Sequence, residues 1–212
     1  MDKSILNEPL QSDVPLTKMT KGLKIAFFGG TFDPVHEGHL EIARKAVDQS
    51  GLDRVIFIPC RRSPHKSEAP GADDLDRLDM LKLATSNFPW AEVSDFELQK
   101  PPPSFSWETV RHFKEAFANS TRFFLLVGFD QWESLPRWKN IETLAKDVEF
   151  IVVGRSEHPR PRDGFRAHFI EGNHPASASE IRKDLSEGRK ASWLHRDVAR
   201  FIHEKDLYSP VR

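Results

Sequence analysis

Ile25-Ala26-Phe27-Phe28-Gly29-Gly30-Thr31-Phe32-Asp33-Pro34-Val35-His36-Glu37-Gly38-His39-Leu40 is the stretch that decides the architecture of this chain. A short apolar run ends in two glycines, a turn follows, and a helix opens beside two histidines three residues apart. That order gathers backbone N–H groups and two imidazoles at the head of one helix. Free N–H groups and the helix dipole both favour negative charge there. Imidazoles can donate hydrogen bonds to the same point. The stretch therefore predicts a phosphate site on an α/β scaffold.

Outward from this stretch, short apolar runs alternate with helical patterns. Strands are expected at Lys24–Phe28, Arg54–Pro59, Ala91–Leu98, Phe123–Val127, Phe150–Val153 and His168–Ile170. Helices are expected around Leu40, Ala43 and Val47; around Leu75, Leu78 and Leu81 after Asp73-Asp74; and over Trp107–Phe117. Two more are expected from Ile181 to Leu185 and around Val198, Phe201 and Ile202. Loops are expected at Arg61–Gly71, Lys100–Ser104, Ser134–Arg137 and His158–Gly164. Continuous apolar strands alternating with helices predict an α/β, doubly wound, mainly parallel sheet with a small C-terminal helical part. Ligands of such sheets lie beyond the carboxyl ends of the strands.

The totals narrow the partners. The 212 residues suffice for one large domain, and the net charge of −1 offers no broad basic face for nucleic acid. No apolar run reaches membrane-spanning length, and residues 1–20 lack the apolar centre of a secretory signal. They read as a flexible extension before a single domain over 21–212. The single cysteine, Cys60, excludes an internal disulfide and fits a reducing compartment. Cytoplasmic residence is the expectation, and a homo-oligomer is compatible with the sequence, which does not give the oligomeric state. Zinc on His36 and His39 would need further ligands, for which only Cys60 and His65 offer themselves, so no metal is assigned to protein side chains.

The pattern Gly-Gly-Thr-Phe-Asp-Pro-x-His-x-Gly-His resembles the HxGH nucleotidyltransferase superfamily, and more narrowly the bacterial nicotinate-nucleotide adenylyltransferases. The resemblance runs from about Lys24 to Tyr208. It implies a Rossmann-like nucleotidyltransferase fold, with Gly29, Gly30, Thr31, Phe32, His36 and His39 around ATP, and Thr31 also near the second substrate. Pro64-His65-Lys66 matches a block that places Lys66 on phosphate. Ser104-Phe105-Ser106 resembles the Ser-Tyr-Thr segment that holds a nicotinate carboxylate largely through backbone N–H groups. Alone, Phe105 and Trp107 would read as core packing. Gly128-Phe129-Asp130 stands where the family has Gly-Ala-Asp, with Gly128 and Asp130 near the nucleotide. Trp138 matches a tryptophan that stacks on the pyridine ring, although a lone loop tryptophan is usually packing. Arg155 follows the strand at Phe150–Val153, as a nucleotide-side arginine does. Ser177, Ser179 and Arg182 fall in a block similar to Ile-Ser-Ser-Thr-x-Ile-Arg. Ser177 and Glu180 also read as a plain capping box.

The resemblance implies adenylyl transfer from ATP to nicotinate mononucleotide, giving deamido-NAD and pyrophosphate. His36, His39, Lys66 and Arg182 would carry the chemistry, with Mg²⁺ bound mainly through ATP. The alternatives are nicotinamide mononucleotide or another phosphate ester as acceptor, or a nucleotide-binding module without turnover. Lys18-Met19-Thr20-Lys21 resembles a synthetase loop, but it precedes the first strand instead of following the histidines, so it reads as coincidence.

Overall fold

The computed structural model describes residues 22–62, 70–154 and 159–210. Six strands form one parallel sheet: β1 (Lys24–Gly30), β2 (Arg54–Pro59), β3 (Ala91–Val93), β4 (Arg122–Gly128), β5 (Glu149–Gly154) and β6 (Ala167–Glu171). Their order is β3-β2-β1-β4-β5-β6. The connections leave β1 in opposite directions, so the topological switch point lies between β1 and β4. A crevice for ligand opens there at the carboxyl ends of a doubly wound sheet.

The continuous apolar runs are explained by two cores that share the sheet. Alternate residues point to opposite faces. Ala26, Phe28, Val55, Phe57, Phe124, Leu126, Ile151 and Val153 pack one way. Helices α1 (Glu37–Ser50), α2 (Asp74–Thr85) and α7 (Arg196–Glu204) cover that face through Leu40, Ala43, Met80, Leu81, Val198 and Ile202. Ile25, Phe27, Ile56, Ile58, Phe123, Leu125, Val127, Phe150 and Val152 pack the other way. They meet α3 (Ser106–Ala116), α4 (Phe129–Ser134) and α5 (Ile141–Asp147) through Val110, Phe113, Trp132 and Leu144. Each fully buried aliphatic or aromatic side chain contributes about 1.5–3 kcal/mol, so a strand buried on both faces is held more firmly than a half-exposed one. Helix α6 (Ala178–Ser186) precedes α7 and completes the C-terminal helical part.

Several expectations are corrected. The strand expected over Ala91–Leu98 stops at Val93, because the chain turns with Leu98 and Gln99 N–H both on the Asp95 carbonyl. The loop expected at Ser134–Arg137 is the end of α4 followed by a 3₁₀ turn, Leu135–Arg137, with proline in its first turn. Helix α5 carries too few apolar residues to announce itself as a periodic pattern. Leu75 stands on α2 but is 69% exposed, so it is no part of the helix's buried face.

Candidate active site

The loop from Gly30 to His39 is built around Phe32. This residue has φ +48 and is buried. A non-glycine residue rarely adopts that conformation. Its ring meets Phe28 at 5.5 Å and His39 at 5.0 Å, edge to face in both cases. A Cβ on Gly30 would come within 3.0 Å of that ring, which explains the glycine. Gly29 has open space at its Cβ position, so a ligand can approach the backbone closely there.

His36 is the N-cap residue of α1. Its ring stacks on His39 with centroids 3.7 Å apart. The His36 N–H donates to His39 Nδ1 at 3.2 Å. The proton of a neutral His39 ring therefore sits on Nε2, where it can serve as donor. His36 is 8% exposed, and its buried Nδ1 has no hydrogen-bond partner. Burial first, and the charge of His174 second, lower its pKa from 6.5 to about 4. The resting ring is neutral. The helix end is also less free than expected, because the Glu37 N–H donates to the Trp193 carbonyl at 2.8 Å.

His174 is a third imidazole that sequence reasoning missed. Gly38 is squeezed between two rings: a Cβ there would lie 3.1 Å from His36 and 3.2 Å from His174 Nδ1. That crowding gives the glycine between the two histidines a steric cause. His174 Nδ1 accepts from the Ala176 N–H at 3.1 Å, which ties the approach to α6 to the head of α1. Its only sequence signal is its place three residues before Ser177.

Asp33 organises the opposite wall. It is 5% exposed, and its carboxylate accepts from Gly71 N–H at 2.8 Å, Ala72 N–H at 3.0 Å and the Tyr208 hydroxyl at 2.6 Å. Burial first, then Asp33, push the Tyr208 phenol far above its ordinary value. Arg182 donates to the Asp33 carbonyl at 2.6 Å. The predicted arginine of α6 thus lies against the loop that carries the two histidines. Arg77 was also missed. It is wholly buried, and Nη1 donates to the carbonyls of Thr31 (2.7 Å) and Cys60 (2.8 Å), while Nη2 pairs with Asp74 (2.6 Å). One guanidinium therefore fastens the carboxyl ends of β1 and β2 together.

At the other end of the crevice, Phe105 is the N-cap residue of α3 and offers no side-chain cap. Phe105 and Trp107 are half-buried; Trp107 packs against the second core. Lys139 Nζ stands 4.6 Å from the centre of the Phe105 ring, so the structure brings the Trp138 segment to the Ser104–Ser106 segment. Trp138 is half-buried against the same core, with Nε1 donating to Ser134 Oγ at 3.3 Å. Gly128 caps α4, where its N–H donates to Gln131 Oε1, and Asp130 is exposed in the first turn. The Ser177–Glu180 capping box is not formed: the Ser177 side chain makes no cap bond, and its Oγ lies 2.8 Å from Ser179 Oγ. Lys66 and Arg155 lie outside the described residues. Among the described residues no three His, Cys, Asp or Glu side chains gather as metal ligands, and no helix is long and apolar enough to cross a membrane.

Residues 27–184 match the family model for cytidylyltransferase-like proteins. A protein of Methylacidiphilum infernorum (isolate V4) named "Probable nicotinate-nucleotide adenylyltransferase" is 38% identical over 200 residues, covering 93% of this chain and 98% of that protein. "Nicotinate-nucleotide adenylyltransferase" of Bacillus subtilis (strain 168) is 34% identical over 190 residues, covering 87% and 98%. The Plasmodium falciparum nicotinic acid mononucleotide adenylyltransferase, solved with NaAD, superposes with a TM-score of 0.72 at 20% identity over 88% of this chain and 97% of its own. That likeness concerns the fold.

Proposed function

The chain belongs to the cytidylyltransferase-like family and, within it, to the nicotinate-nucleotide adenylyltransferases, and from that premise we propose how its residues work. It transfers the adenylyl group of ATP to nicotinate mononucleotide, forming deamido-NAD and releasing pyrophosphate. The observation that carries the assignment of roles is the stacked His36–His39 pair at the head of α1, beside the switch-point crevice, with Arg182 on Asp33 alongside.

The mononucleotide 5′-phosphate attacks the α-phosphorus of ATP in line. The bond between the α-phosphorus and the α,β-bridging oxygen breaks, and pyrophosphate carries away the electron pair on that oxygen. Both reactants are anions, so positioning and charge stabilisation supply the catalysis. His39 Nε2–H donates to the α-phosphate oxygens. His36 enters the crevice neutral, and an arriving phosphate raises its affinity for a proton, so that it becomes a charged donor once ATP is bound. Arg182 exchanges the Asp33 carbonyl for the leaving pyrophosphate, whose oxygens suit its planar fork. Lys66 and Arg155, which follow β2 and β5 in the sequence, add positive charge. Gly29, Gly30, Thr31 and Phe32 shape the backbone cradle. Gly128, Asp130, Ser177 and Ser179 line the nucleotide side.

Phe105 and Ser106 present N–H groups of the uncapped α3 start to the nicotinate carboxylate, Ser104 holds that segment in place, and Trp138 meets the pyridine ring. When bound, Mg²⁺ would come with the triphosphate and would supply charge screening there, with no side chain of this chain needed to hold it. The donor set supports this: the buried carboxylate of Asp33 is already occupied by two N–H groups and a phenol.

The test is pyrophosphate release from ATP with nicotinate mononucleotide, nicotinamide mononucleotide and no acceptor. Turnover with the acid well above the other two supports the reading, and equal turnover of acid and amide removes the acid preference. His39→Ala should lower kcat/KM by about 100-fold or more. Near-normal turnover by the folded variant would remove its role.

A further inference from the structure

Glu97 is a buried carboxyl with no part in the chemistry above. It is 8% exposed in the turn after β3. It accepts from the Thr109 hydroxyl of α3 at 2.6 Å, and the Ser104 hydroxyl also donates to it. Ser104 has two further ties: its Oγ accepts from the Arg61 N–H at 3.3 Å, and its own N–H donates to the Arg62 carbonyl at 3.2 Å. Glu97 thus fixes the direction of the Ser104 proton, which leaves the Ser104 lone pairs for Arg61. The segment before α3 is anchored on one side to its own helix and on the other to the end of β2.

A carboxyl is an expensive way to fill a buried turn. An apolar side chain would pack there without a desolvation cost. What it could not do is hold two hydroxyls in fixed directions. The cleft that Glu97 lines is shared with Lys100, Ser104 and Phe105, at the uncapped start of α3. We infer that Glu97 is a positioning residue for the mononucleotide: through Ser104 and Thr109 it holds the start of α3 so that its N–H groups stay aimed at the acidic substituent of the ring. This rests on the function proposed above.

Charge agrees with the geometry. Burial raises the Glu97 pKa, the Thr109 and Ser104 hydroxyls work against that, Glu108 adds to it, and Lys100 opposes it.

The experiment measures steady-state pyrophosphate release by the full chain, with each substrate varied in turn. The wild type comes first. No turnover with ATP and nicotinate mononucleotide would overturn the parent function before any variant is made. Given turnover, Glu97→Ala should raise the mononucleotide KM by about tenfold while leaving the ATP KM within about twofold. Glu97→Gln keeps an acceptor for Thr109, and its NH2 donates to a Ser104 Oγ lone pair in place of accepting from it, so both segments stay tied and its mononucleotide KM should return to within about threefold of wild type. Unchanged KM values in a folded Glu97→Ala protein, equal increases in both, or a glutamine variant as impaired as alanine would each overturn the inference. Should Glu97→Ala fail to fold, Thr109→Val decides. The same split at roughly three- to fivefold supports the role, and an even effect on both substrates overturns it.

Discussion

Acidification should destabilise this protein in part through His36. Its imidazole titrates at 6.5 in the unfolded chain and at about 4 in the fold, so between those values the unfolded state binds the extra proton. Stability therefore rises with pH across that window and is lost as pH falls from about 6.5 toward 4. A shift of this size, read at pH 4.5, amounts to about 2–3 kcal/mol. For a chain of this length that corresponds to a midpoint lowered by about 4–12 °C. The assay is urea unfolding at pH 7.0 and pH 4.5, for wild type and for His36→Gln, whose side chain stays neutral throughout. Other groups titrate in both proteins, so the difference between the two isolates His36. The wild type should lose more stability than the variant by that amount. Parallel losses would refute the reasoning, for they would mean that the ring accepts its proton inside the fold at no cost. ATP should shrink the effect, because a bound phosphate rewards the protonated ring.

Arg77→Met strips donors from the half-buried Thr31 and the buried Cys60 carbonyls, and should cost roughly 3 kcal/mol, seen as a midpoint about 6–12 °C lower by calorimetry; an unchanged midpoint would deny the guanidinium its fastening role. Tyr208→Phe removes one donor from Asp33 and should cost about 1 kcal/mol, with kcat falling more than either KM, since Arg182 leans on the same residue. A fall confined to KM would separate Tyr208 from Arg182. Trp138→Ala should raise the mononucleotide KM more than the ATP KM; equal effects would assign this ring to packing alone.

The sheet was legible in the sequence because two cores leave no polar gap in a strand: Val55-Ile56-Phe57-Ile58 must be buried on both faces. The glycines and histidines of the first loop were legible for a related reason. Phe32 excludes a side chain at Gly30, and the His36 and His174 rings exclude one at Gly38, so sterics had written the pattern into residue types. Other parts carried no periodic mark. Arg77 sits on α2 without any local mark, and only the meeting of α2 with the ends of β1 and β2 gives it carbonyls to hold. His174 belongs to no helix or strand, so nothing local announces that it will meet a ring 138 positions earlier. Ser177 misled in the other direction: its spacing to Glu180 fits a cap, yet its hydroxyl turns to Ser179.

Asp33 draws its partners from residues 71–72, 182 and 208, which are made at very different moments of synthesis. A ribosome has delivered every strand once Glu171 has left the exit tunnel. The nascent sheet still lacks the arginine and the phenol. Full nucleotide turnover should therefore appear only after Arg182 and Tyr208 have emerged and closed on Asp33.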